Sequence, residues 1–370
     1  MIKTTAIDLV NPEPMMVTWD IGRRCNYDCS YCEITRHDNI SPHKTTDELI
    51  KTFDFIKQWT SLYNTRRVAQ SITNINFTGG EPTVNPNFWS LVDYIKTQDG
   101  FNLSLTTNGA WSPKFTEKIR QRFSGVTVSY HAEAHENLKA QVLKNIYDLQ
   151  KTGMWLQVNV MLHIDYWDEC VAVYNELVAN GISAKPRPIG DGNIARKGWF
   201  IDQDGSNRRT SHEYTAEQQE WFWSTTGLNK KSTGTSDGES LGRGCCGGRC
   251  LVGKVNDTWK EVKIVDTNFK DWSCMVDWYF LHIDQQTGLV YHHQTCQALH
   301  DNKRGALGNL NNTEQMLTEL TQRLKEPTPI ICPNQRCGCG MCIPKAESPE
   351  EFKIIWNKNL KLQSTREMFE

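Results

Sequence analysis

The segment Val17-Thr-Trp-Asp-Ile-Gly-Arg-Arg-Cys25-Asn-Tyr-Asp-Cys29-Ser-Tyr-Cys32 decides the fold: a short apolar run is followed at once by three thiols spaced CxxxCxxC. Three thiolates on one tight loop can hold three irons of a four-iron, four-sulfur cluster and leave the fourth iron without a protein ligand. An electron-transfer cluster would take a fourth Cys, and a structural zinc would take four N/S ligands, usually as two separated pairs. Neither set completes itself locally. The next Cys downstream is Cys170, inside an amphipathic pattern, and it reads most simply as a core residue.

Outward from that segment, residues 16 to 190 alternate strand-like and helix-like runs. Val17 to Trp19, Ile72 to Phe77, Leu103 to Thr107, Val126 to Tyr130, Leu156 to Met161 and Ser183 to Ile189 read as short strands. Between them, Thr45-x-x-Glu48 is a capping box leading into Leu49, Phe53, Ile56, Trp59 and Tyr63. Asn85-Pro86 and Ser112-Pro113 each set a cap residue before a proline suited to a first helical turn. Leu138, Val142, Ile146 and Leu149 form a stripe closed by Gly153, and Asp165 to Asn180 forms another closed by Gly181. Repeated strand-helix units predict an α/β fold with parallel strands and right-handed crossovers. In a parallel barrel, ligand chemistry gathers at the carboxyl ends of the strands. The thiol loop follows the first strand, Gly79-Gly80-Glu81-Pro82 the second, Thr106-Thr107-Asn108-Gly109 closes the third, and Ser129-Tyr130-His131 closes the fourth. Two bare glycines let backbone approach a ligand closely, and Glu81 offers an acceptor for an ammonium group.

CxxxCxxC and GGEP, in this order, resemble the motifs of the radical S-adenosylmethionine (SAM) superfamily. The resemblance implies a partial (β/α)6 TIM-like barrel in which Cys25, Cys29 and Cys32 hold a 4Fe-4S cluster that binds SAM. It implies that Gly79, Gly80 and Glu81 hold the methionine amino group and that Tyr31 packs near the adenine. Asn108 and Ser129 would contact the ribose or methionine moiety; the plainer alternative makes Asn108-Gly109 a turn and Ser129 a buried hydroxyl. His131 and His135 invite a proton-transfer role, against the plainer reading of a polar cap or solvent contact. The implied reaction is reductive cleavage of SAM to a 5'-deoxyadenosyl radical that abstracts hydrogen from a substrate carbon, fed by an electron donor such as flavodoxin or ferredoxin.

After Ile189 the texture changes. Residues 201–244 are poor in aliphatic residues and read as a linker carrying one short helix near Thr215 to Thr225, so the radical SAM core is placed at residues 1–200. Residues 245–345 are Cys-rich, and residues 346–370 suit a C-terminal helix. Nine Cys fall beyond the linker: Cys245, Cys246, Cys250, Cys274, Cys296, Cys332, Cys337, Cys339 and Cys342. Such density points to a second metal site. Tyr279 to Asp284 and Leu289 to His293, joined at Gly288, read as a hairpin flanked by Cys274 and Cys296. This organisation resembles the SPASM and twitch extensions of radical SAM enzymes, in which a hairpin and a Cys-rich loop carry auxiliary iron-sulfur clusters. The match is partial, because His293 stands where the SPASM pattern has its next Cys. The expectation is at least one auxiliary cluster on Cys274, Cys296 and members of the run Cys332, Cys337, Cys339 and Cys342, with zinc as the alternative metal. Cys245, Cys246 and Cys250 stay unassigned.

A net charge of -2 gives no support for a nucleic-acid or membrane surface built on bulk electrostatics. No run approaches a membrane span, the N-terminus lacks the apolar core of a signal peptide, and 13 Cys without such a signal suit metal thiolates in a reducing compartment, so a cytoplasmic location is expected. The expected substrate is a peptide or protein, as is common in the SPASM and twitch enzymes. A small molecule, a sugar, or a nucleoside or base is the alternative, and a noncatalytic iron-sulfur or zinc protein is the second alternative.

Overall fold

A computed structural model describes residues 4–9, 14–32, 37–66, 72–189, 198–201, 207–210, 213–226, 251–255, 257–261, 268–292, 306–325, 328–332 and 343–359. The elements run β1 (Thr4–Leu9), β2 (Met16–Asp20), α1 (Thr46–Arg66), β3 (Thr73–Thr78), α2 (Phe88–Ile95), β4 (Phe101–Thr107), α3 (Thr116–Arg122) and β5 (Gly125–His131). They continue with α4 (Glu136–Gln150), β6 (Trp155–Leu162), α5 (Trp167–Ala179), β7 (Ala184–Pro188), β8 (Gly198–Ile201), β9 (Asn207–Thr210) and α6 (Ala216–Thr226). The last set is β10 (Leu251–Val255), β11 (Thr258–Glu261), β12 (Ser273–Cys274), β13 (Phe280–Asp284), β14 (Leu289–Tyr291), β15 (Gly308–Asn309), α7 (Thr313–Arg323), β16 (Ile330–Ile331), β17 (Lys345–Ala346) and α8 (Pro349–Asn359).

The expected strand-helix alternation forms. Strands β2 to β7 lie side by side in chain order, all parallel, within a nine-stranded sheet ordered β15-β14-β13-β2-β3-β4-β5-β6-β7. The hairpin of β13 and β14 turns at Gly288 and joins this same sheet, with β13 running parallel to β2 from Phe280↔Met16 to Asp284↔Asp20. A second sheet, β11-β10-β1-β17-β12-β16, ties the chain's beginning to its Cys-rich end. Asp8 of β1 accepts from Lys358 Nζ at 2.7 Å and from Asn359 Nδ2 at 3.0 Å, which fastens α8 to β1.

Local chemistry explains the helices. The Thr45–Glu48 capping box closes both ways, Thr45 N donating to Glu48 at 2.8 Å and Glu48 N to Thr45 Oγ1 at 3.2 Å. Leu49, Phe53, Ile56, Trp59 and Tyr63 are then all buried on one face of α1. The start expected at Asn85 shifts: Glu81 caps a 3₁₀ turn over Pro82–Val84, Asn85 accepts from Asn87 N at 2.9 Å, and α2 begins only at Phe88. Proline thus seeds a tighter turn before the helix proper. Cys170 is fully buried and its thiol donates to Met161 O at 3.2 Å.

The parallel strands do not read as continuous apolar runs. Val17, Trp19, Ile75, Phe77, Leu103, Leu105, Val126 and Val128 pack in one core with α1, α2 and α4 residues such as Phe53, Leu91 and Ile146. The alternating positions on the opposite face are polar. There Asn102 Nδ2 donates to Asn74 Oδ1 and Ser104 Oγ to Asn76 Oδ1, both at 3.0 Å, and Asn76 Nδ2 reaches Thr106 Oγ1 at 3.2 Å. The sheet therefore presents a hydrogen-bonding interior to whatever enters it.

Two packing details hold the carboxyl ends of these strands. Gly80 N donates to Gly22 O at 2.9 Å and Glu81 N to Arg24 O at 2.8 Å, so the segment after β3 lies backbone to backbone on the segment after β2. A Cβ on Gly80 would stand 2.3 Å from Arg23 O and 2.4 Å from Arg24 O, and one on Gly79, whose φ is +117°, would stand 2.5 Å from Gly22 O. Behind the next strand, Asn145 of α4 is fully buried and donates from Nδ2 to Gly109 O at 2.8 Å and Trp111 O at 2.9 Å. Gly80→Ala is expected to destabilise the fold by about 3 kcal/mol or more through backbone overlap, read as a lower denaturation midpoint at unchanged slope. Asn145→Ala, which orphans two buried carbonyls, should lose on the order of 2–4 kcal/mol in the same measurement.

Candidate cofactor site

The thiol loop leaves β2 and is fastened from several sides. Cys25 N donates to Asp38 O at 3.3 Å, Asp38 N to Arg23 O at 2.9 Å, and Cys32 N to Cys29 O at 3.0 Å, which tightens the CxxC turn. Ser30 N donates to Glu133 Oε1 at 2.9 Å and Ser30 Oγ lies 3.4 Å from His163 Nε2. Residues just beyond β5 and β6 thus brace the loop, and neither Glu133 nor His163 is singled out by the sequence motifs. The only hint in the sequence is their place after strand-like runs, where barrel chemistry gathers.

Cys25, Cys29 and Cys32 form no disulfide and are partly exposed. Burial pushes Cys25 up to about 11 and Cys29 higher still; Glu81 and Cys32 add to the rise at Cys25, and Glu133, Cys25 and Cys32 to that at Cys29. Raised thiols such as Cys25 and Cys29 favour the protonated form, and a bound metal is what deprotonates such groups. Among the described residues no three His, Cys, Asp or Glu side chains converge closely enough for one metal ion.

Glu81 is only 2% exposed. Its Oε1 accepts from Thr83 N at 3.0 Å and Thr83 Oγ1 at 2.6 Å, its Oε2 from Asn108 N at 2.7 Å, and Thr107 Oγ1 lies 2.9 Å from both oxygens. Burial raises its pKa while these donors pull it back. The carboxylate therefore joins the segments after β3 and β4. Asn108 lies in the turn of the plainer reading, where Oδ1 accepts from Ala110 N at 3.0 Å, while Nδ2 donates to Asn26 Oδ1 at 2.6 Å and lies 3.8 Å from Cys25 Sγ.

His131, the last residue of β5, faces the loop. Its Nδ1 is 3.5 Å from Cys29 Sγ and in close contact with the Tyr31 hydroxyl, and its ring stacks on Tyr31 at 5.9 Å and meets the edge of Tyr27 at 5.7 Å. Burial lowers this imidazole to about 4. Tyr31 also lies against His163, centroids 5.8 Å apart. Ser129 is half-buried, in register with Asn159 of β6 and with the same side-chain parity as His131. His135 sits apart, as the N-cap of α4, its Nδ1 accepting from Asn137 N at 3.3 Å.

Of the Cys assigned to a second site, Cys274 and Cys332 are described. They lie on or beside paired strands: Cys274 is opposite Ile330 in the β12–β16 pair, and Cys332 N donates to Trp272 O at 2.9 Å. Cys296, Cys337, Cys339 and Cys342, with Cys245, Cys246, Cys250 and His293, lie outside the described residues. Among the described residues no helix is long and apolar enough to cross a membrane.

Residues 19–175 match the family model of the Radical SAM superfamily. Over 96 residues the chain is 30% identical to an S-adenosylmethionine-dependent nucleotide dehydratase of Selenomonas ruminantium, covering 25% of this chain and 30% of that protein. Over 111 residues it is 29% identical to mycofactocin maturase MftC of Mycobacterium tuberculosis, covering 30% and 25% respectively. A GTP 3',8-cyclase of Staphylococcus epidermidis is 29% identical over 153 residues, 38% of this chain and 43% of the cyclase. The chain spans less than half the length of these curated relatives. The solved structure "Native anSMEcpe with bound AdoMet and Kp18Cys peptide" superposes with a TM-score of 0.48 at 13% identity, over 84% of this chain and 83% of that one. The matched span, residues 19–175, holds the thiol loop, the glycine pair and strands β3 to β6.

Proposed function

We propose that this protein is a radical SAM enzyme in which Cys25, Cys29 and Cys32 hold a 4Fe-4S cluster and Tyr31, Gly79, Gly80, Glu81, Asn108 and Ser129 form the SAM site. The observation that carries the reading is the single loop that bears all three thiols, laid backbone to backbone against the glycine pair at the carboxyl ends of parallel strands. When bound, the cluster supplies the electron that cleaves SAM to a 5'-deoxyadenosyl radical, which abstracts hydrogen from a substrate carbon; a donor such as flavodoxin or ferredoxin fits the need for that electron. The chain's own task is to position and to shield. Glu81 holds the segments after β3 and β4 together, Asn108 reaches back to the thiol loop, and the polar inner face of the sheet binds and orients substrate.

The Cys-rich C-terminal segment supports a peptide or protein substrate, because the SPASM and twitch enzymes it resembles commonly act on peptides. It also supports at least one auxiliary cluster on Cys274, Cys296 and members of the Cys332 to Cys342 run, with zinc as the alternative metal. A second reading, a small polar molecule such as a nucleoside or sugar, is favoured by the Asn, Ser and Thr side chains that cover the inner face. Two of the relatives are named for nucleotide chemistry, which accords with it.

Replacing Cys25, Cys29 and Cys32 together with Ala is expected to abolish 5'-deoxyadenosine formation under anaerobic reduction. Continued formation of that product would refute the site. The same variant should retain roughly four irons per chain, the content of one further cluster; stoichiometric zinc without iron or sulfide would support a structural zinc module instead. Glu81→Ala is expected to weaken SAM binding about tenfold or more, since a hydrogen bond to a charged group contributes about 1.5–3 kcal/mol. Unchanged SAM affinity with a fully assembled cluster would remove Glu81 from the site.

A further inference from the structure

The sulfurs of Cys25 and Cys29 meet different kinds of donor. Cys25 Sγ faces a backbone donor, Tyr27 N at 3.4 Å, and Asn108 Nδ2 at 3.8 Å. Cys29 Sγ faces side chains: His131 Nδ1 at 3.5 Å and the Tyr31 hydroxyl, which is itself in close contact with that same nitrogen. These three atoms form a closed triangle. Once Cys29 ligates iron its sulfur has no proton and can only accept, so a hydrogen carried by the pair has an electron-rich partner.

We propose that His131 is a positioning residue which, through Nδ1 and the Tyr31 hydroxyl, delivers a hydrogen bond to the Cys29 sulfur and thereby sets the reduction potential of the bound cluster. The proposal rests on the radical SAM reading above. Hydrogen bonds to ligating sulfur stabilise the more negative, reduced cluster and raise its potential. In a partly dry site each bond acts more strongly than it would in water. The surroundings keep the triangle in place: the His131 ring is stacked on Tyr31 and edged by Tyr27, Tyr31 is backed by His163, and Ser30 is held by Glu133. His131 ends β5 in parallel register with Met161 of β6, so strand pairing rather than loop conformation sets its height at the site.

The arrangement is tested on the full chain, reconstituted anaerobically and without SAM, by redox titration monitored by electron paramagnetic resonance. The relevant signal is the one that the triple Cys25, Cys29 and Cys32 variant lacks and that added SAM perturbs. His131→Leu and Tyr31→Phe should each make the cluster harder to reduce at unchanged iron content. The expected drop in the reduced-to-oxidised ratio at fixed potential is about tenfold, which corresponds to ~59 mV for a one-electron couple. His131→Gln, which keeps an N–H donor, should recover part of the shift, and the two single changes should be less than additive in combination because they remove one shared unit. If Nδ1 instead takes the Tyr31 proton, the sulfur has no such donor and the potential stays at the wild-type value in both single variants; that result overturns the proposal. Where His131→Leu fails to hold its cluster, Tyr31→Phe decides on the same criterion. A wild-type protein with no SAM-perturbed signal overturns the radical SAM reading itself, and is recognised before any variant is made.

Discussion

The close backbone contact between the segments that follow β2 and β3 is the constraint on which the site depends. Two hydrogen bonds, Gly80 N to Gly22 O and Glu81 N to Arg24 O, place the start of the thiol loop directly on the glycine pair. A side chain at either glycine would occupy the space of a carbonyl. Because carbonyl positions are set by the strands behind them, the contact transmits the register of β2 and β3 to Cys25 and Glu81. The glycines serve protein-to-protein packing here, in addition to any close approach of a ligand.

Polar groups complete what the backbone begins. Glu81 spends its carboxylate on Thr83, Thr107 and Asn108, and Asn108 passes the connection to Asn26 beside Cys25. Ser30, Glu133 and His163 make the corresponding link from the far side of the loop to the ends of β5 and β6. The three thiols are therefore held between two networks that originate on different strands. Such an arrangement restricts loop motion without a covalent link.

The hairpin of β13 and β14 changes how the Cys-rich segment relates to the core. It extends the barrel sheet beyond β2, and Trp19 Nε1 donates to Gln285 Oε1 at 2.8 Å across that seam. Cys274, six residues before β13, sits in the second sheet among Val276, Ile343, Phe280 and Ile330. The C-terminal thiols that are described thus hang from the same framework that carries the thiol loop.

Much of this was legible in the chain itself. The CxxxCxxC and GGEP motifs, the order of strand and helix periods, the α1 stripe from Leu49 to Tyr63 and the hairpin at Gly288 are local patterns, and local patterns survive without knowledge of partners. Short strands such as β1, β12 and β17 were not legible, because two to six residues carry too little periodicity and exist only through pairing with segments distant in the chain, as Ala6 with Ala346 and Ser273 with Ala346. The same holds for the site. Sequence alone named Cys25, Cys29, Cys32, Glu81 and Asn108, since their spacing and residue type carry the chemistry. Only the tertiary structure decided that Glu81 bridges two strands, that His135 caps a helix while His131 faces Cys29, and that Glu133 and His163 brace the loop. Hydrogen-bond partners are chosen by distance in space, and parallel strand pairing brings together residues that the sequence separates by a hundred positions.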